Sequence, residues 1–371
     1  MLEANTVSGS AKAVLEFARE ASRRQSETPR IDLRILTFSR SREENTLTDT
    51  IRSAGIALDV VSERGRFDRS VIPQLQALMK ARQPHVIWSN AVKSHFLVRL
   101  AGLNRSAKWV AFHHGYTAED MKVQLYNQLD RWSLRKADRV ITVCRPFADE
   151  LQSRGVSADR IHIQHMPIRP FESVSREQVA ALRKQLAIAD DTRVLLSVGR
   201  LSFEKGHADL VRAFHLLRQR NPDLHMRLVL VGDGPEGSNL HSLCERLRLG
   251  ADVSLVGHQQ DVRPYYAIAD LFILPSHSEG SPNVLLEAMS MEVPVVTTNV
   301  GGIPELVTSE TDAMLVDKQD LVALTEAMSK MLNDAGLRSR LKSAGRRLIL
   351  RYAPEHYFRA VSKVLQEAVC R

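Results

Sequence analysis

The chain has 371 residues, 44% of them apolar and 25% charged. That length suits two compact domains of about 180 residues each, and no segment approaches the ~18 unbroken apolar residues of a membrane-spanning helix. The charge is uneven: residues 1–170 hold 27 Lys+Arg against 18 Asp+Glu, a net of +9, while residues 171–371 hold 24 against 25, a net of −1. A basic first half suits an anionic partner such as a lipid headgroup or lipid diphosphate, or is a solvated surface kept for solubility.

In chain order, the start MLEANTVSGSAK carries no basic leader followed by an apolar run, so no secretory signal is expected. Apolar, β-branched runs at 31–38, 57–61, 84–89, 108–113, 138–143 and 160–165 read as strands. Between them, segments such as 70–82 and 119–136 have apolar residues at three- and four-residue spacing, as amphipathic helices do. A polar, proline-bearing stretch follows, and the pattern restarts with strands at 193–199, 225–232, 253–257, 270–275, 293–298 and 312–316. The last segments, 320–333, 335–351 and 354–368, read as helices alone. Two such βαβ series predict an α/β chain of two Rossmann-like domains facing across a cleft, 1–168 and 191–350, with a linker at 169–190. Residues 351–371 are expected to form a C-terminal helix that crosses back to the first domain. Cys144, Cys244 and Cys370 stand far apart without CxxC spacing, which argues against a zinc site or disulfide framework and fits a reducing cytoplasm.

Unusual residues concentrate where the strands of the second half end. Gly199-Arg200-Leu201-Ser202-Phe203-Glu204-Lys205-Gly206 brings two cations and two glycines to one strand-to-helix loop, a natural partner for a diphosphate. Further on, Gly280, Ser281 and Pro282 interrupt the chain before a helix beginning at Pro282 or Asn283. The amides of that helix start face the strand ends. Glu279 then lies in the loop and Glu287 one turn inside the helix, where ionised carboxylates accept hydrogen bonds from sugar and ribose hydroxyls. The turns Gly232-Asp233-Gly234-Pro235 and Gly301-Gly302-Ile303-Pro304-Glu305 follow two other strands. The second offers amides to a phosphate, and the first reads as a tight turn.

The run VGRLSFEKG (198–206), VGDGPE (231–236), PSHSEGSPNVLLEAM (275–289) and PVVTTNVGGIPELV (294–307) resembles glycosyltransferase family 4, retaining enzymes of the GT-B fold. The first half is similar more loosely, through SGSAKAVLEFA (8–18), AFHHGY (111–116) and ADRVITV (137–143). The resemblance implies that Arg200 and Lys205 clamp the donor diphosphate, that Glu287 holds the ribose, and that Glu279 contacts the donor sugar. It places Gly199, Gly280, Ser281, Pro282, Asn283, Val284, Gly301 and Gly302 around sugar and phosphate. It puts His114, with His113 beside it, against the donor from the first half, and makes Gly9 the glycine loop that opens the first helix. The implied reaction transfers a sugar from a UDP- or GDP-sugar to a glycan or lipid-linked acceptor in polysaccharide or glycolipid synthesis, on the inner face of the cytoplasmic membrane. The nucleotide sugar is then a substrate and no cofactor is expected. No Asp-x-Asp occurs in the sequence, which agrees with a cationic clamp in place of a metal ion.

The pattern departs at three places. Family members begin with a buried strand before the glycine loop, and here Met1–Val7 alone precede it, so the first strand is expected to be missing. Glu292 stands where a glycine usually caps the 283–291 helix, which predicts a locally altered cap. His165-Met166-Pro167 replaces the usual asparagine-containing turn. Two other classes stay open on the sequence: a nucleotide-sugar epimerase of the same fold, and a non-catalytic nucleotide-sugar-binding homologue. Nucleic-acid binding is not expected, because the basic half lacks interleaved aromatics.

Overall fold

The computed structural model describes residues 1–2, 9–24, 26, 30–40, 46–65, 68–115 and 121–370, with 121–126 described by their backbone. Ser8 of the expected glycine loop, residues 3–7 before it and Tyr116 lie outside the described residues. The chain divides into unit 1, Met1–Pro167 with Ala353–Arg371, and unit 2, Ile168–Tyr352.

Unit 1 contains β1 (Arg34–Ser39), β2 (Ala57–Ser62), β3 (Val86–Ser89), β4 (Lys108–His113), β5 (Arg139–Thr142) and β6 (Ile161–Ile163). All pair in parallel, β1 with β2 and the others in the order β3-β4-β5-β6. Between the two groups lie Met1 and Leu2. Leu2 pairs with Thr37 and donates its amide to the Leu36 carbonyl at 2.9 Å, while the amino group of Met1 donates to the Trp88 carbonyl at 2.5 Å. Among the described residues, Met1 and Leu2 thus stand at the place of the strand expected to be missing, with Leu2 buried in the core.

Side chains alternate between the two faces of a strand, and here both faces are apolar. In β4, Val110 and Phe112 enter one core while Trp109 and Ala111 enter the other, so both faces need helices over them. One face is covered by the helices Gly9–Arg23 and Pro354–Val369. Phe17 meets Phe358 at 4.9 Å and the edge of Trp88 at 5.1 Å, and Tyr357 is fully buried. The C-terminal helix thus completes the core of unit 1.

Unit 2 contains β7 (Arg193–Val198), β8 (Met226–Val231), β9 (Val253–Leu255), β10 (Leu271–Leu274), β11 (Val295–Thr298) and β12 (Met314–Val316). They form one parallel sheet in the order β12-β11-β10-β7-β8-β9. It too is two-faced: Leu195, Leu228, Leu230 and Ile273 belong to one core, Leu196, Val229, Phe272 and Leu274 to the other. The stretch 169–190, expected to be a linker, instead holds the helix Arg176–Gln185. Its polar start is a capping box, with the Ser175 hydroxyl accepting from the Gln178 amide and the Gln178 side chain accepting from the Ser175 amide, both at 3.2 Å. Leu182 and Ile188 are buried in the unit 2 core and Val179 packs against it, while most of the helix's other residues are exposed, which is why its composition resembles a linker.

The Glu292 cap also differs from expectation. Glu292 adopts φ +57°, its amide donates to the Met289 carbonyl at 3.1 Å, and the Val293 amide donates to the Ala288 carbonyl at 3.0 Å. This is the ordinary left-handed helix end with a non-glycine residue forced into it. An ion pair with Arg346 at 2.7 Å holds the Glu292 side chain.

Candidate active site

After β7 the chain adds β8 and β9 on one side, then returns to place β10 on the other. The connections leaving β7 and β10 diverge, and a parallel sheet opens its ligand crevice at the carboxyl ends of two such strands. Both carry the singular residues of the sequence. The β7 loop runs from Gly199 through a short turn at Phe203–Lys205 into the helix His207–Arg220, and the β10 loop runs from Pro275 into the helix Asn283–Ser290.

One ion pair joins the two loops. Lys205 Nζ lies 2.7 Å from Glu279 Oε1, which also accepts from the Ser276 hydroxyl at 2.6 Å. The lysine side chain is 24% exposed and the carboxylate 6%, so a half-buried cation sits against a buried anion. The Ser276 carbonyl in turn accepts from the Thr298 hydroxyl at the end of β11, at 2.5 Å. The His277 amide donates to the Glu204 carbonyl, and His277 Nε2 meets Asp209 Oδ2, each at 2.8 Å. Lys205 is thereby fixed from both sides of the crevice.

Two glycines make this approach possible. Gly206 has φ +66°, and a Cβ there would lie 2.0 Å from the Pro275 carbonyl oxygen; Gly301 has φ +55°, and a Cβ would lie 1.8 Å from the Glu279 carbonyl oxygen. The backbone amides of Gly199 and Gly302 are committed. Gly199 donates to Val231 at 2.9 Å and Gly302 to the Glu279 carbonyl at 3.1 Å, so within the turn 301–305 the Gly302 amide supports the Glu279 loop. The turn 232–235 holds the β7 loop, with the Leu201 amide donating to Asp233 and the Glu236 amide to Leu201.

Arg200 lies exposed on the β7 loop. Glu287 is buried, 3% exposed, and accepts from the Tyr266 hydroxyl at 3.3 Å; that hydroxyl also lies 3.2 Å from the Val284 carbonyl. Burial and the Glu287 carboxylate together push the Tyr266 phenol up, which keeps it a proton donor. Pro282 caps the helix, so the helix starts at Asn283, whose side-chain oxygen is buried without a hydrogen-bond partner among the described residues. Gly280 and Ser281 are half-buried beside it. Ser276, Thr298, Tyr266 and the His277–Asp209 pair were not singled out from the sequence. Ser276 and His277 sit inside the quoted run, but nothing in the spacing of Tyr266 announces its partner.

In unit 1, β4 ends at His113, and His114 is the first residue beyond it. His113 Nδ1 lies 3.3 Å from the Thr142 hydroxyl, and the His114 ring stacks on Phe112 at 4.6 Å. Burial pushes His113 down to about 4 and His114 down to about 3, so both are neutral at pH 7 and act as hydrogen-bond partners without charge. A buried His95–Asp130 pair, 2.6 Å apart, lies in the same unit. Gly9 is the exposed first residue of its helix.

The sequence model described as Glycosyltransferase Family 4 matches residues 7–170, and that described as Glycosyl transferases group 1 matches residues 178–348. The chain is 29% identical over 267 residues to the putative teichuronic acid biosynthesis glycosyltransferase TuaC of Bacillus subtilis, covering 68% of this chain and 64% of that protein. It is 28% identical over 230 residues to the uncharacterized glycosyltransferase MJ1607 of Methanocaldococcus jannaschii, covering 60% of this chain and 58% of that one. The chain thus spans a little under two thirds of these curated relatives. Among solved structures, Anabaena Alr3699/HepE in complex with UDP-glucose superposes with a TM-score of 0.82 at 19% identity, over 99% of this chain and 98% of that one. The fold is GT-B, with two Rossmann-like units. With its two halves matched in order to the two domains of these enzymes, the chain belongs to glycosyltransferase family 4.

Proposed function

We propose that this chain is a retaining, metal-independent glycosyltransferase that takes its sugar from a UDP- or GDP-sugar. The observation that carries the reading is the Lys205–Glu279 pair at the topological switch point of unit 2, with Arg200 on the same loop. A diphosphate entering there meets the solvent-facing side of Lys205. As the bond between sugar and diphosphate breaks, negative charge collects on the leaving nucleotide, and fixed cations stabilise that charge more than the ground state. Glu279, freed in part from Lys205, accepts from the donor sugar's hydroxyls, and Glu287 accepts from the ribose. The neutral imidazole of His114 is a hydrogen-bond partner for the donor sugar. Retention follows the family, and metal independence follows from cations doing the work of a divalent ion.

The acceptor we propose is a glycan or lipid-linked glycan of cell-surface polysaccharide or glycolipid synthesis. The names of the relatives support this, among them the lipopolysaccharide core biosynthesis glycosyltransferase LpsE of Rhizobium meliloti, 34% identical over 167 residues. Placement on the inner face of the cytoplasmic membrane fits such an acceptor, and no described helix is long and apolar enough to cross a membrane.

The test incubates the purified chain with a panel of UDP- and GDP-sugars and glycan acceptors, with and without EDTA, following nucleotide release and the anomeric configuration of the product. Turnover of one donor, undiminished by EDTA and with the donor's configuration kept, is expected. Turnover that needs a divalent ion sinks the clamp, interconversion of the free nucleotide sugar points to an epimerase, and binding without turnover points to a non-catalytic homologue.

A further inference from the structure

In unit 1 the helices Val92–Leu100 and Met121–Leu134 pack side by side. Their outward faces leave Trp132 44% exposed and Leu100 51% exposed, with the Phe96 ring 6.4 Å from Trp132. Two large apolar side chains this exposed on neighbouring helices lose free energy to water unless something covers them.

The charges nearest the Trp132 ring are basic. The Arg99 guanidinium lies 3.1 Å above the Trp132 ring and donates to the Trp132 carbonyl. Arg135 and Lys136 follow Trp132 in the chain and are exposed, and Arg135 Nε donates to the Arg154 carbonyl at 2.9 Å. Arg131 beside them is paired with Glu150 at 3.0 Å. Arg99 is held below its usual range, first by burial against the ring and then by the like charge of Arg135. Cations that repel one another at an apolar patch gain from an anionic partner that has an apolar layer beneath its charges. Tryptophan and leucine ringed by arginine and lysine are the side chains that settle at a bilayer's headgroup boundary. The first 170 residues also carry the whole net positive charge of the chain.

We propose that the Trp132–Leu100 patch docks on an anionic phospholipid bilayer, the two apolar side chains entering the boundary between headgroups and acyl chains while Arg99, Arg135 and Lys136 meet lipid phosphates. This surface lies in unit 1 and does not depend on the nucleotide site of unit 2.

The sequence supplies its own probe. Of its three tryptophans, Trp88 and Trp109 are buried at 8% and 0% exposure, which leaves Trp132 as the one open to solvent. The full chain is titrated with vesicles of phosphatidylglycerol and phosphatidylcholine, or of phosphatidylcholine alone, some carrying brominated acyl chains. A blue shift and quenching of tryptophan emission are expected, with binding roughly tenfold or more tighter to the anionic vesicles and weakened by salt. Leu100→Ser and the charge reversal Arg135→Glu/Lys136→Glu are each expected to lower vesicle binding by about fivefold or more. The thermal midpoint and the binding of UDP or GDP, measured on the same proteins, should stay unchanged. An unshifted, unquenched emission with anionic vesicles overturns the proposal, as does binding that both variants retain. A blue shift that tracks protein concentration without vesicles assigns the patch to a second copy of the chain and overturns it too. Loss of nucleotide binding in the unaltered chain contradicts the glycosyltransferase reading instead, so the two failures are separable.

Discussion

Lys205 and Glu279 show how one contact serves two states. The buried carboxylate holds the lysine at 2.7 Å and shares its oxygen with Ser276; on the proposed reading the same lysine turns to the diphosphate of a bound donor. Opposite consequences are expected from removing either partner. Glu279→Gln keeps the shape and releases the cation, so affinity for the free nucleoside diphosphate should hold or rise by up to about tenfold while turnover falls about 100-fold. Lys205→Ala should lower both affinity and turnover, the latter by ~10²–10³. It should also lower unfolding free energy by roughly 1–2 kcal/mol, since Glu279 stays buried without its cation, a figure reduced for the lysine's partial exposure. Calorimetry of nucleotide binding beside initial rates separates the two. Tyr266 acts at the same scale, because its hydroxyl steadies Glu287 from inside the core. Tyr266→Phe is expected to cost about 1 kcal/mol in stability and to narrow the preference for a ribonucleotide over its 2′-deoxy form. An unchanged preference would leave the tyrosine a packing role alone.

At the scale of elements, most of the architecture was legible. The twelve strands among the described residues each match an expected run within a few residues, because a sheet covered on both faces writes continuous apolar, β-branched runs. The 169–190 segment was misread because an exposed, capped helix such as Arg176–Gln185 has the polar composition of a linker. Arg200, Lys205 and Glu279 stand out in the sequence because they break an apolar pattern just after strand ends, and Glu287 because it lies in the helix that follows; the structure brings Lys205 and Glu279 together. Tyr266 does not stand out, because its hydroxyl partner lies 21 residues away and is set by packing in three dimensions. At position 292, where the resemblance predicts an altered helix end, the structure keeps the ordinary one. The left-handed cap persists with its hydrogen bonds, and the strain is borne by Glu292 at φ +57°. Glu292→Gly should therefore raise stability by roughly 0.5–1 kcal/mol, relief of left-handed strain outweighing an exposed ion pair and added chain entropy. A thermal or urea midpoint that falls on substitution would show the Arg346 pair to matter more than the backbone.

Across the whole molecule, buried neutral histidines link stability to pH. Burial pushes His113 in unit 1 and His207 in unit 2 each down to about 4; for His207 the charge of Lys205 lowers it further and Glu204 opposes. The unfolded chain takes up these protons near pH 6.5 and the folded chain does not, so stability is fully present above 6.5 and is lost as pH falls toward 4. The loss reaches up to about 3 kcal/mol per group. Urea midpoints at pH 7.5, 6 and 5 should fall in that order. In His207→Gln the fall should be shallower, and a parallel fall in both proteins would remove His207 as a contributor. Each unit completes its own core, unit 1 with the returning helix Pro354–Val369, so both units should register the acid loss.

The most direct test of the diphosphate clamp compares a nucleoside diphosphate with the matching monophosphate by calorimetry, UDP against UMP or GDP against GMP, in the unaltered chain and in Lys205→Ala. The unaltered chain should bind the diphosphate about tenfold or more tighter, as expected when a fixed cation meets the second phosphate, and Lys205→Ala should erase most of that margin. An equal preference in both proteins, or no binding of either diphosphate, would contradict the assignment of the Lys205–Glu279 crevice to the donor.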